Sequence, residues 1–121
     1  MSVVATILIA ATALIHVWFL VLEMFLWRRP LGLRTFGLTP DAAETTATLA
    51  ANQGLYNGFL AAGLAWSLLA AEPTALQAKL FFLGCVIVAG LFGAATVSRR
   101  ILVVQALPAV LALVAVLASR P

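Results

Sequence analysis

Residues 3–30 read VVATILIAATALIHVWFLVLEMFLWRRP. From Val3 to Trp27 the run is apolar apart from Thr6, Thr12, His16 and Glu23, and Arg28-Arg29-Pro30 closes it. About 20 such residues are enough for a helix to cross the hydrocarbon of a bilayer. Backbone polar groups cannot go unpaired in lipid, so the stretch reads as a transmembrane helix. It has no basic start, its apolar run exceeds the ~7–15 residues of a signal-peptide core, and its basic residues follow rather than precede it. A span that stays in the protein is therefore expected, not a cleaved leader.

Three further apolar segments lie beyond it. One covers about residues 49–71 and stops before Glu72-Pro73, one covers about 76–97 and ends at Arg99-Arg100, and one covers about 101–118. The break at Arg99-Arg100 is tight, which implies a helical hairpin. The expected fold is all-α: a four-transmembrane-helix bundle with antiparallel up-down neighbours, forming a single integral membrane domain over residues 1–121, with spans at about 3–27, 49–71, 76–97 and 101–118. Composition agrees. Of the 121 residues, 64% are hydrophobic and 9% charged, and the mean hydropathy is +1.15. A soluble domain is about half apolar and about a quarter charged, and charge-driven disorder is excluded by the same comparison. The net charge of +3 sits beside the spans, so it sets membrane orientation and does not recruit nucleic acid. Membrane lipid is the expected partner. The single Cys85 cannot form an intramolecular disulfide.

The sizeable connection, residues 28–47, contains Pro30, Gly32, Gly37 and Pro40. Thr39 followed by Pro40, Asp41 and Glu44 predicts an N-cap, a proline at N1 and acids near the helix start. The second helix is expected to begin there and run on into the membrane. Arg28, Arg29, Arg34, Arg99 and Arg100 fall in the first and third loops, against Lys79 and Arg120 on the other side. Five against two predicts the first and third loops in the cytoplasm and both termini outside. Lys79 is expected to snorkel to the interface.

Polar residues within spans are costly and turn toward the bundle or a cavity. At 100° per residue, Thr12, His16, Glu23 and Trp27 share one face of the first helix, with His16 and Glu23 two turns apart and unable to touch. Asn52, Gln53, Tyr56 and Asn57 make a polar arc on the second helix, paired at i, i+4. Gln105 and Thr96 fall at the same depth. His16, Glu23, Asn52, Gln53, Tyr56, Asn57 and Gln105 are therefore the candidate pocket residues, gathered in the cytoplasmic leaflet with His16 nearer mid-bilayer. An ionised carboxylate at that depth is expensive, so Glu23 is expected to be protonated or paired. The plainer reading is that the amides and His16 only bond helix to helix, at about 0.6 kcal/mol each. Gly54, Gly58, Ala61 and Ala65 form a small-residue stripe, and Gly90 and Gly93 another; both suit close packing within the bundle, with a homodimer seam as the alternative.

The chain carries no nucleophile elbow, Walker sequence, dinucleotide turn or cysteine pair. His16 and Glu23 have no ligand spacing, so no metal and no cofactor are expected. No catalytic residue can be assigned, and the sequence does not decide whether the protein is an enzyme.

Leu22-Glu23-Met24-Phe25-Leu26-Trp27, Phe36-Gly37-Leu38, the run from Ala51-Asn52-Gln53-Gly54-Leu55-Tyr56-Asn57-Gly58 through Leu64, residues Phe81 to Gly90, and Gln105-Ala106-Leu107-Pro108-Ala109 resemble an uncharacterised family of small integral membrane proteins, domain of unknown function 1304. The likeness covers nearly the whole chain, and the Asn52–Ala61 block is its most specific part. It implies a four-span, multi-pass protein of the bacterial inner (cytoplasmic) membrane, with His16, Glu23, Asn52, Gln53, Tyr56, Asn57 and Gln105 as characteristic residues. It implies no reaction. Three functions compete: a protein that binds or transports a small polar or amphipathic molecule in a cytoplasmic-leaflet pocket; a membrane enzyme acting on a lipid-like or quinone-like substrate through Glu23 and His16; and a structural or accessory subunit. The first leads narrowly.

Overall fold

The computed structural model describes residues 1–120, which form helices and, among the described residues, no strand. In chain order they are α1 (Val3–Met24), α2 (Pro30–Phe36), α3 (Pro40–Leu69), α4 (Thr74–Thr96) and α5 (Leu107–Ala118), with a π-helical segment, Leu102–Ala106, leading into α5. Two of these helices, α1 and α4, are long and apolar enough to cross a membrane. The 30-residue α3 is long enough, but its first half carries Asp41, Glu44, three threonines, Asn52 and Gln53. The last apolar stretch, Leu102–Ala118, is shorter and is interrupted where Pro108 lacks an amide hydrogen and would clash with the carbonyl of Val104. The chain there widens by one residue, and the Leu107 N–H bonds the Leu102 carbonyl five residues back.

Contacts divide the chain into two compact units, one made of Met1–Ile15 with the residues from Leu60 onward, the other of His16–Phe59. The first is built on a cluster of Ala5, Ile9, Leu64, Leu83, Val86, Ala109, Ala112 and Val116. Its alanines let helices approach closely, and glycines bring them closer still. A Cβ on Gly90 would stand 2.8 Å from the Cβ and amide nitrogen of Ala106, and one on Gly93 would stand 3.0 Å from Ile101 Cγ2. Ascending positions on α4 thus meet descending positions on the following segment, the antiparallel hairpin that the tight Arg99-Arg100 break implies. The bulky side chains point outward: Phe81, Val88 and Phe92 are each at least 65% exposed.

Lys79 does not reach outward as the snorkelling expectation had it. It is buried, and its Nζ donates to the Ser67 carbonyl at 2.7 Å. Ser67 lies in the last turn of α3, where carbonyls lack intrahelical partners and a cation meets the negative end of the helix. Ser67 Oγ donates in turn to the Leu64 carbonyl at 2.6 Å. Lys79→Met keeps the stem and removes the donor, and should lower stability by about 1–3 kcal/mol. Thermal melting in detergent checks this, and an unchanged midpoint would mean that water replaces the ammonium.

In the second unit α1 ends at Met24, three residues short of the expected boundary at Trp27. The Phe25 and Leu26 amides both bond the Val21 carbonyl, at 3.0 and 3.1 Å, so the final turn loosens, and the Arg29 N–H then bonds Leu26. The connection expected to be loop contains α2, with Pro30 at its first turn and Gly37 closing it at φ 63°. The Gly37 and Leu38 amides both bond the Leu33 carbonyl, the second of these bonds being the long closure that a left-handed glycine permits. Thr39 caps α3 as its sequence predicts, its Oγ1 accepting from the Ala42 amide at 3.1 Å.

Candidate functional site

Glu23 occupies the last turn of α1 and is 4% exposed. The Asn57 side-chain amide, on α3, donates to its Oε1 at 2.6 Å in a buried hydrogen bond, while Gln53, one turn earlier on the same stripe, is exposed. Residues 34 positions apart in the chain are thus joined through their polar ends. Close backbone approach makes this contact possible. A Cβ on Gly54 would lie 2.7 Å from Met24 Cγ, 3.1 Å from Glu23 Cβ and 3.3 Å from the Leu20 carbonyl oxygen, and one on Gly58 would lie 2.7 Å from Leu20 Cδ1. Gly54 and Gly58 are therefore filled by α1 of the same chain.

The rest of the polar arc turns elsewhere. Asn52 Nδ2 donates to the Tyr56 hydroxyl at 3.4 Å, an exposed bond, and the Tyr56 ring lies 6.1 Å from that of Phe59. At 100° per residue Asn52 and Tyr56 share one stripe, while Gln53 and Asn57 share the next one round. His16 is fully buried, with its ring edge-on to Phe19 at 5.6 Å. Gln105 belongs to the other unit, in the π-helical segment, and is half-buried. Ala61 is buried there and Ala65 is exposed.

An open cleft of about 460 Å³ borders Glu23 and is lined also by Trp27, Arg28, Arg29, Glu44 and Ala47, among others. Arg28 reaches both oxygens of Glu44, at 3.1 and 3.2 Å, in a pair exposed to solvent. The Trp27 indole N–H donates to Thr46 Oγ1 at 3.1 Å, and its ring lies 4.7 Å from that of Phe36. This bond and ring contact fix the indole at the cleft wall. Sequence reasoning missed the roles of Arg28, Glu44, Trp27 and Thr46. Only the pairing of a basic loop with an acidic helix start hinted at them. Among the described residues no three His, Cys, Asp or Glu side chains gather as a metal ion would require.

Helices of this kind, with a carboxyl buried at a helix end beside an open polar cleft, define a small all-α protein with two helices able to cross a membrane. The chain belongs to the family described as "Protein of unknown function (DUF1304)", which it matches over residues 10–117. That is the family the Asn52–Ala61 block resembles. The chain is also similar to "Uncharacterized protein YpaA" of Lactococcus lactis subsp. lactis (strain IL1403), with 28% identity over 116 residues that cover 94% of this chain and 97% of the relative. No solved structure matches it.

Proposed function

We propose that the protein is a four-span bundle of the bacterial cytoplasmic membrane that binds or transports a small polar or amphipathic molecule in the cleft beside Glu23. The observation that carries the reading is the Glu23–Asn57 hydrogen bond at the edge of an open cleft. A carboxyl kept at a membrane helix end is costly and marks a ligand or proton site by default. Support for the membrane comes from the distribution of side chains: Leu14, Phe25 and Leu69 are all more than 65% exposed, while Thr12, His16, Glu23 and Asn57 are buried. Water would reverse that pattern, and hydrocarbon favours it. The spans at about 49–71 and 101–118 complete the bundle in this reading, and the excess of arginine in the first and third loops supports a cytoplasmic cleft with both termini outside. The small-residue stripe at Gly54 and Gly58 serves packing within the chain, so association of two copies would use another face.

Filling the cleft tests the reading. Native mass spectrometry of the protein released from its own membrane should show a bound small molecule. Ala47→Trp, placed on the cleft wall, should abolish that adduct without lowering the melting temperature. An identical adduct pattern in both proteins, or none in either, would refute a ligand site here.

A further inference from the structure

Four charged side chains line the cleft: Glu23, Arg28, Arg29 and Glu44. Arg28 and Glu44 neutralise each other across 3.1 Å. The remaining two are of opposite sign and differ in setting. Glu23 is buried against Asn57, whereas Arg29 is exposed and in no ion pair among the described residues. Only the turn at the end of α1 separates them in the chain, and Met24, Phe25 and Trp27 supply apolar lining around them.

We propose that the ligand of this cleft is a zwitterion, with a primary ammonium that donates to Glu23 and an oxyanion that Arg29 binds. The proposal rests on the cleft being a ligand site and names what enters it. A plain cation would satisfy Glu23 but leave the like charge of Arg29 in the same cleft without a counter-ion. A plain anion would suit Arg29 but meet the Glu23 carboxyl. A molecule with both groups on a short methylene spacer satisfies each end, and the apolar lining covers the spacer. Arginine holds phosphate or carboxylate oxygens through paired N–H donors. An ammonium offers three donors to a carboxyl already oriented by an amide. A phosphoethanolamine group has this chemistry, whether it is carried by a lipid or is free.

The test is calorimetric titration of the full chain in phosphatidylglycerol nanodiscs with phosphoethanolamine, ethanolamine, phosphocholine and inorganic phosphate. Phosphoethanolamine should bind, and each of the other three should bind about tenfold more weakly or worse, as expected from losing one charge-assisted contact. Arg29→Gln, at an exposed position that leaves the fold intact, should bring phosphoethanolamine down to the affinity of ethanolamine. Glu23→Gln should bring it down to that of phosphate. Repeating the titration in nanodiscs that contain phosphatidylethanolamine separates the two sources: loss of binding to the soluble zwitterion supports the lipid headgroup, and undiminished binding supports the free molecule. If ethanolamine binds as tightly as phosphoethanolamine, or Arg29→Gln changes nothing, the zwitterion is refuted. Absence of binding by all four probes in both nanodiscs refutes it too. A ligand adduct lost in Ala47→Trp would still uphold the cleft as a ligand site after any of these failures.

Discussion

Gly54→Leu is expected to be the most damaging single substitution in the cleft region. A Cβ at this position already stands 2.7 Å from Met24 Cγ, 3.1 Å from Glu23 Cβ and 3.3 Å from a backbone oxygen of Leu20. The methionine end can swing aside, but the other two atoms belong to the body of α1 and cannot move without displacing it. A leucine therefore separates the helices, and overpacking of this kind costs about 1–3 kcal/mol or more. Separation also stretches the 2.6 Å bond between Asn57 and Glu23, so the loss should lie at the upper end of that range. Gly84→Leu is the control. Nothing lies within 4 Å of a Cβ built there, and replacing a helical glycine in open space should be neutral or stabilising by up to ~1 kcal/mol. Melting of the two variants in one detergent compares them. Equal midpoints would mean that the α1–α3 approach is not a tight seam.

Asn57→Leu should cost about 2–3 kcal/mol, because it removes the donor while the Glu23 carboxyl stays buried. Glu23→Leu alone leaves the Asn57 amide without its acceptor, a penalty of the same kind. The double substitution replaces both polar ends with apolar groups of similar size, and it should be closer to the natural protein than Asn57→Leu is. That non-additivity is the signature of a buried pair. If Asn57→Leu costs no more than about 0.6 kcal/mol, the average for polar contacts between membrane helices, water from the cleft substitutes for the amide and the pair does not hold the site.

Much of this arrangement was readable from residue types, for stated physical reasons. A carboxyl in an apolar helix must face inward, and an amide arc at the start of the next apolar span lies at the same depth in an up-down pair. Those two constraints put Glu23 at the depth of the Asn52, Gln53, Tyr56 and Asn57 arc, without choosing among them. Thr39-Pro40 announced its cap because the hydroxyl and the missing N–H act within one turn. The inward split of the arc was less legible. Adjacent positions differ by 100° around a helix, so only the packing decides that Asn57 is buried and Asn52 and Tyr56 are exposed. The short α2 was hidden by Pro30, Gly32 and Gly37, which read as turn residues. A proline at the first position and a glycine just past the end are themselves helix-boundary signals. Lys79 was misplaced because its partner is a backbone carbonyl, Ser67, and no side-chain pattern records an unsatisfied helix end. The π-helical segment required knowing how the chain accommodates Pro108, a choice between kink and widened turn that the proline alone does not settle.

The central claim is that Glu23 borders a cleft open to the cytoplasm in a protein whose exposed apolar helix faces meet lipid. Cysteine accessibility tests it most directly. On a Cys85→Ala background, cysteine is placed at Thr48, which lines the cleft, and separately at Val88, exposed on α4. A membrane-impermeant maleimide should label the Thr48→Cys protein in inside-out vesicles and not in intact cells, and should leave Val88→Cys unlabelled from either side. Labelling of Thr48→Cys from the outer face, or equal labelling of both positions in the same vesicles, would contradict the account.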